Sequence, residues 1–242
     1  MWPPPKHATG ASAAESGPQA SPPGPASVRA AAGQAAATQA ARSSPPDYDR
    51  LVPDRLYFTD SDEANALIAS DPMALLVGFV LDQQITVQKA FTGPLTLRER
   101  LGAIDADTLA SADLEPVFRA RPAVHRYHRS MARRVHDFAV YLRDHYDGDA
   151  ARVWMEARNA DELRANLAAV PGIGEMKIKA LGAVLAKHFG VTVANDLVPW
   201  YPTLGDVDSP QALGAYQAAK RAHRAEWYQP GTPTRPAVAR RS

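Results

Sequence analysis

The fifteen residues SDPMALLVGFVLDQQ, positions 70–84, constrain the fold more than any other stretch of the chain. Between positions 72 and 81 no side chain is polar, so a helix here has no face to offer water and belongs in the middle of a core. Asp71 reads as its N-cap, and Pro72 takes the first helical position, where a missing N–H costs nothing. Such a helix has to be enclosed by amphipathic ones. A chain of 242 residues with 45% hydrophobic content can supply them.

Residue spacing predicts where those helices lie. In TDSDEANALIAS, Asp60 or Ser61 is the expected N-cap of a short helix. A helix over ITVQKAFTG is expected to stop at Gly93-Pro94, followed by shorter pieces around 97–101 and 107–118. Met131, Val135, Phe138 and Leu142 share one face of a helix over 130–146. Asn159 and Glu162 have capping-box spacing ahead of Leu163 and Leu167. Ser209-Pro210 opens a last helix, 210–226, with Leu213 and Tyr216 facing inward. No period-two alternation of five or more residues occurs, although VTVAN suits a short extended piece. The expected fold class is all-α.

Composition sets the boundaries. Ala, Pro, Gly and Ser fill 33 of the first 46 positions, too few large apolar side chains to offset the entropy of ordering. Residues 1–46 and 229–242 are therefore expected to be disordered tails around a helical domain at 47–228. With no cysteine, disulfides, thiolate zinc sites and thiolate-held iron–sulfur clusters are excluded, and no cofactor is expected. No run reaches the roughly 18–20 apolar residues of a membrane span, so the expectation is a soluble, intracellular protein in the cytoplasm or nucleoid.

The stretch AAVPGIGEMKIKALGAVLAKHFG, 168–190, reads as the turn and second helix of a helical hairpin at about 160–189. Pro171 stops the first helix, and Gly172 and Gly174, flanking Ile173, permit backbone angles that a Cβ resists. The second helix begins near Glu175, so its unpaired N–H groups and the bare glycine backbone offer a place for an anion. Lys177 and Lys179 lie just beyond and can supply charge to a phosphate.

VPGIGEMKIKALGAVLAKHFG resembles the hairpin of the helix-hairpin-helix superfamily of DNA glycosylases, the endonuclease III and alkyladenine glycosylase relatives, in which an apolar residue precedes P-G-[VI]-G. LLVGFVLDQQITVQKA, 75–90, is similar to the helix of the alkyladenine branch that ends in two glutamines and an [IL]-[ST] step. Together they cover about 60–196. The resemblance implies a base-excision-repair protein that binds damaged duplex DNA through the phosphate-gripping hairpin and flips a base out of the stack. It further implies cleavage of the base–sugar bond beside a carboxylate. The lysine that bifunctional members use falls at Met176, so a monofunctional glycosylase without lyase activity is implied. The catalytic aspartate is expected at Asp196, 22 residues beyond Gly174, with Asp206 and Asp208 as fallbacks.

Other candidates leave alternatives open. Gln83 and Gln84 are expected either to hydrogen-bond a base or sugar-phosphate, or to cap the buried helix. The segment 119–145 carries seven arginines, of which Arg126, Arg129 and Arg133 form a stripe suited to phosphate. His125-x-x-His128 has metal-pair spacing, but no third ligand is evident and arginines surround it, so no metal site is expected. A non-catalytic DNA-binding protein on the same scaffold, or a helical protein-interaction module, are the alternative functions. The sequence sets no oligomeric state.

Overall fold

The computed structural model describes residues 52–227, so the expected tails, 1–46 and 229–242, lie outside the described residues. Those described residues form ten α-helices and two 3₁₀ turns with no strand, an all-α fold. Ser61 caps α1 (Asp62–Ser70), its side chain accepting from Ala64 N. Asp71 caps α2 (Pro72–Leu81) through Met73 N and Ala74 N. Every residue of α2 after Pro72 is buried. Burying a large apolar side chain stabilises by about 1.5–3 kcal/mol, which makes this helix the centre of the core.

Helix α3 (Val87–Leu101) runs straight through Gly93-Pro94, correcting the expected stop. Inside a helix proline gives up one backbone hydrogen bond and crowds the carbonyl four residues back, but Gly93, with no Cβ, spares Pro94 the further clash with the residue before it. The same glycine lets α3 close on α2: a Cβ there would collide with Leu81 Cδ1, and one at Gly78 would enter the Phe91 ring. Phe91 in turn stands edge-on to Phe58 and Phe79, with centroids 5.0 and 5.1 Å away. The expected piece at 97–101 is simply the last turn of α3.

Positions 107–118 divide into α4 (Ala106–Ser111) and α5 (Leu114–Arg119), both packed on α6 (His128–Tyr146). Met131, Val135, Phe138 and Leu142 form its buried face, as their spacing predicts. After α7 (Arg152–Met155), Asn159 caps α8 (Ala160–Ala169) by accepting from Glu162 N. The Glu162 carboxylate reaches Arg158 N at 2.9 Å rather than closing the reciprocal bond to Asn159. Residues 170–174 then turn the chain into α9 (Glu175–His188).

VTVAN is not extended. It lies in a 3₁₀ turn, Thr192–Leu197, because Val191, Ala194 and Leu197 are three apart and all buried, which is the period of that helix. Leu197 docks against Gly182 in the middle of α9. A second turn, Leu204–Asp206, packs beside it, and α10 (Pro210–Trp227) follows with Leu213 and Tyr216 buried. Among the described residues no single helix is long and apolar enough to cross a membrane.

Backbone, not side chain, limits the space at Gly205: an added Cβ would lie 2.5 Å from the carbonyl carbon and oxygen of Ala183. Gly205→Ala is expected to lower unfolding stability by about 1–3 kcal/mol, as overpacking does, measurable as a shift in urea midpoint with unchanged slope.

Candidate nucleic-acid interface

A buried helix ends with carbonyls that have no partner in the next turn. At the C-terminal end of α2 they are met by side chains from distant segments. Lys177 Nζ donates to Val80 O at 3.2 Å and to Gly172 O at 2.9 Å. Gln83 Nε2 also approaches Val80 O, and Arg134 donates to Gln83 Oε1. His125, fully buried, bonds Gln83 O through Nε2 at 3.0 Å while Nδ1 accepts from Tyr127 N. Accepting at Nδ1 requires the proton on Nε2, so this imidazole is neutral and fixed in one tautomer. Burial holds its pKa below the ordinary value, aided by Lys89 and Arg126.

These contacts place the glycine turn against the end of α2. Gly172 has φ +92°, and a Cβ there would meet Arg134 Cδ at 3.1 Å and Val80 Cγ1 at 3.2 Å. Gly174 differs: its φ is −100°, it is exposed, and a Cβ would meet nothing within 4 Å. Ile173 turns its side chain into the core, and Pro171 is half-buried. The amides of Gly174, Glu175 and Met176 have no acceptor among the described residues. Glu175, the one acid at this turn, is held by Arg164 at 2.7 Å to both carboxylate oxygens.

The expected cations fall in different places. Lys177 points inward, its ammonium on two protein carbonyls, and burial brings its pKa down to about 8 against the pull of Asp82. Lys179 is mostly buried and lies 3.9 Å from Glu175. Arg126 precedes α6 instead of belonging to its face, and its guanidinium sits 4.8 Å from the Tyr127 ring centroid. Arg129 and Arg133 are exposed on the helix, loosely matched to Glu115 at 3.6 Å and Asp137 at 3.9 Å, distances at which exposed pairs contribute little. The stripe is therefore two helical arginines and one from the preceding turn.

The two glutamines differ in surroundings. Gln83 caps α2. Gln84 is exposed with φ +54°, an unusual conformation for a residue with a side chain, and its Oε1 accepts from Tyr127 Oη at 3.1 Å. Tyr127, Met176 and Trp200 are the exposed large hydrophobic residues among those described, and the first two lie at this end of α2.

None of the three candidate aspartates joins the group. Asp196 is exposed on the 3₁₀ turn that docks at Gly182, and its side chain makes no hydrogen bond or ion pair there. Eight residues separate Gly182 from Gly174, about 12 Å along a helix. Asp206 accepts from Thr203 N at 2.8 Å and pairs with Lys187 at 2.5 Å, so it caps its own turn. Asp208 is exposed. Sequence reasoning passed over Asp82, Arg134 and Tyr127. For Asp82 a signal existed, an acid directly after an apolar helix, where the dipole disfavours negative charge.

Compared with known proteins, the chain matches no family model, no curated protein and no solved structure.

His125→Ala should cost about 2–4 kcal/mol, combining a cavity with an orphaned carbonyl and amide. Because the folded pKa is depressed, the neutral ring's contribution is complete above about 6.5 and is lost as pH falls toward the folded value. The gap between wild type and variant in urea should narrow from pH 7.5 to pH 5.

Proposed function

We propose that this chain is a DNA-binding protein of the base-excision-repair type, a helix-hairpin-helix scaffold that holds damaged duplex DNA and releases a flipped base as a monofunctional glycosylase. One observation carries the reading: Gly174 is bare although the fold leaves room for a side chain, and it stands beside three amides without acceptors. A phosphate oxygen approaching the turn would find main-chain N–H groups and no Cβ in the way. The same end of α2 carries the strained, exposed Gln84 with Tyr127 and Arg126, whose ring and guanidinium suit contact with an unstacked base or its phosphate.

The chemistry follows from what surrounds the turn. Met176 occupies the position of a lyase amine, and Lys177 is turned away onto carbonyls, so strand cleavage through a Schiff base is not part of the proposal. A second reading, a non-catalytic DNA-binding protein, is favoured by the exposure of Asp196.

Gly174→Asp separates folding from binding. Aspartate is at least as good an N-cap as glycine, so melting temperature should hold or rise. A carboxylate at the proposed phosphate site should nevertheless weaken binding to an abasic-analogue duplex by about tenfold or more. Gly172→Ala should instead cost about 1–2 kcal/mol of stability, the strain of a left-handed backbone. Wild-type affinity in Gly174→Asp would sink the phosphate assignment. Base release from a panel of lesion duplexes by wild type decides between the enzyme and the non-catalytic reading, and unchanged release by Asp196→Asn would remove Asp196 as its carboxylate.

A further inference from the structure

Asp82 is a misfit where it stands. It ends a fully buried helix, at the pole where partial negative charge accumulates. Among the described residues its carboxylate has no hydrogen-bond partner, and its backbone N–H serves the helix, donating to Gly78 O at 3.0 Å. A carboxylate needed for stability would cap an N-terminus or pair closely, as Asp71 and Asp206 do. Burial raises the pKa of Asp82, opposed first by Lys220 of α10 and then by Lys177. α10 reaches this place across α3, where Gln217 donates to Gln88 at 2.8 Å. The acid is half-buried at the end of α2, near enough to Lys220 of α10 and Lys177 of α9 to feel both charges, one residue before Gln83 and two before Gln84.

We infer that Asp82 is the carboxylate that faces the sugar of the flipped nucleotide, with Lys177 as the residue that positions it. This rests on the proposal that the chain acts on a flipped base. As the C1′–N bond breaks, its electron pair leaves with the base, which takes a proton from solvent. The positive charge left on the sugar lies against the Asp82 carboxylate. A water then forms the C1′–O bond and gives a proton to that carboxylate. Lys177 holds the α2 carbonyl and the hairpin carbonyl together, and so fixes the distance between Asp82 and the phosphate-binding turn.

The test uses the full chain and two duplexes, one with a neutral tetrahydrofuran abasic analogue and one with a pyrrolidine that is cationic at neutral pH. Wild type should bind the pyrrolidine duplex about tenfold more tightly, as a buried carboxylate facing a cation would. Asp82→Asn should bind both alike, keep its tetrahydrofuran affinity, and melt no lower than wild type. A cation preference that survives in Asp82→Asn, or is absent from wild type, overturns the assignment while DNA binding stands. A fall in melting temperature of more than about 5 °C in Asp82→Asn overturns it too, because the acid would then be structural. If wild type binds neither duplex better than undamaged DNA at low salt, the underlying reading fails and the role of Asp82 fails with it.

Discussion

The structure depends on how α2 ends. A helix with no polar face can be buried whole, but its last carbonyls cannot be left dry without a cost of about 1–3 kcal/mol each. An ammonium from α9 reaches Val80 O directly, an imidazole from the loop before α6 holds Gln83 O just beyond the helix, and a guanidinium from α6 acts through the Gln83 side chain. Satisfying the helix therefore fastens three distant segments to one point. The distance between the glutamine loop and the glycine turn follows from that fastening.

Electrostatics at this point favour cations. Lys177 and Arg134 lie at the negative pole of α2 and are stabilised there by the helix dipole. Burial works against both ammonium and carboxylate, which explains why Lys177 and Asp82 each shift toward the neutral form despite attracting one another. Local choices elsewhere agree with the fold: Ser61, Asp71 and Asn159 cap helices, and Gly78 and Gly93 permit close packing. Of the acids that follow helix ends, Asp71 caps the next helix and Asp147 pairs with Arg152, whereas Asp82 does neither, and such local conflicts concentrate where a protein works.

What the sequence disclosed depended on range. Caps, the buried helix and the hydrophobic faces of α6 and α10 were legible because each is written within a few residues. The helical run through Gly93-Pro94 was not, since it is held by packing of α3 on α2, with Gly93 against Leu81, which no local pattern shows. VTVAN was misread because three buried residues at a spacing of three look like alternation over so short a stretch. Lys177 was expected to face a phosphate because it adjoins the turn in sequence. Its actual acceptor, Val80 O, is 97 residues away, and nothing local signals it. The tautomer of His125 likewise rests on Gln83, 42 residues earlier.

The two glycines of the turn show how fold and function separate within a motif. Gly172 is explained by the protein alone: its φ is positive, and Arg134 and Val80 crowd the place of its missing side chain. Gly174 has neither constraint. Its backbone is extended and its surroundings are open, so packing gives no reason for glycine, and as an N-cap it offers the Met176 amide no side-chain acceptor, which serine or aspartate would. A residue that is worse than its alternatives for stability, and better for close approach by something outside, is what supports the proposed phosphate site at Gly174.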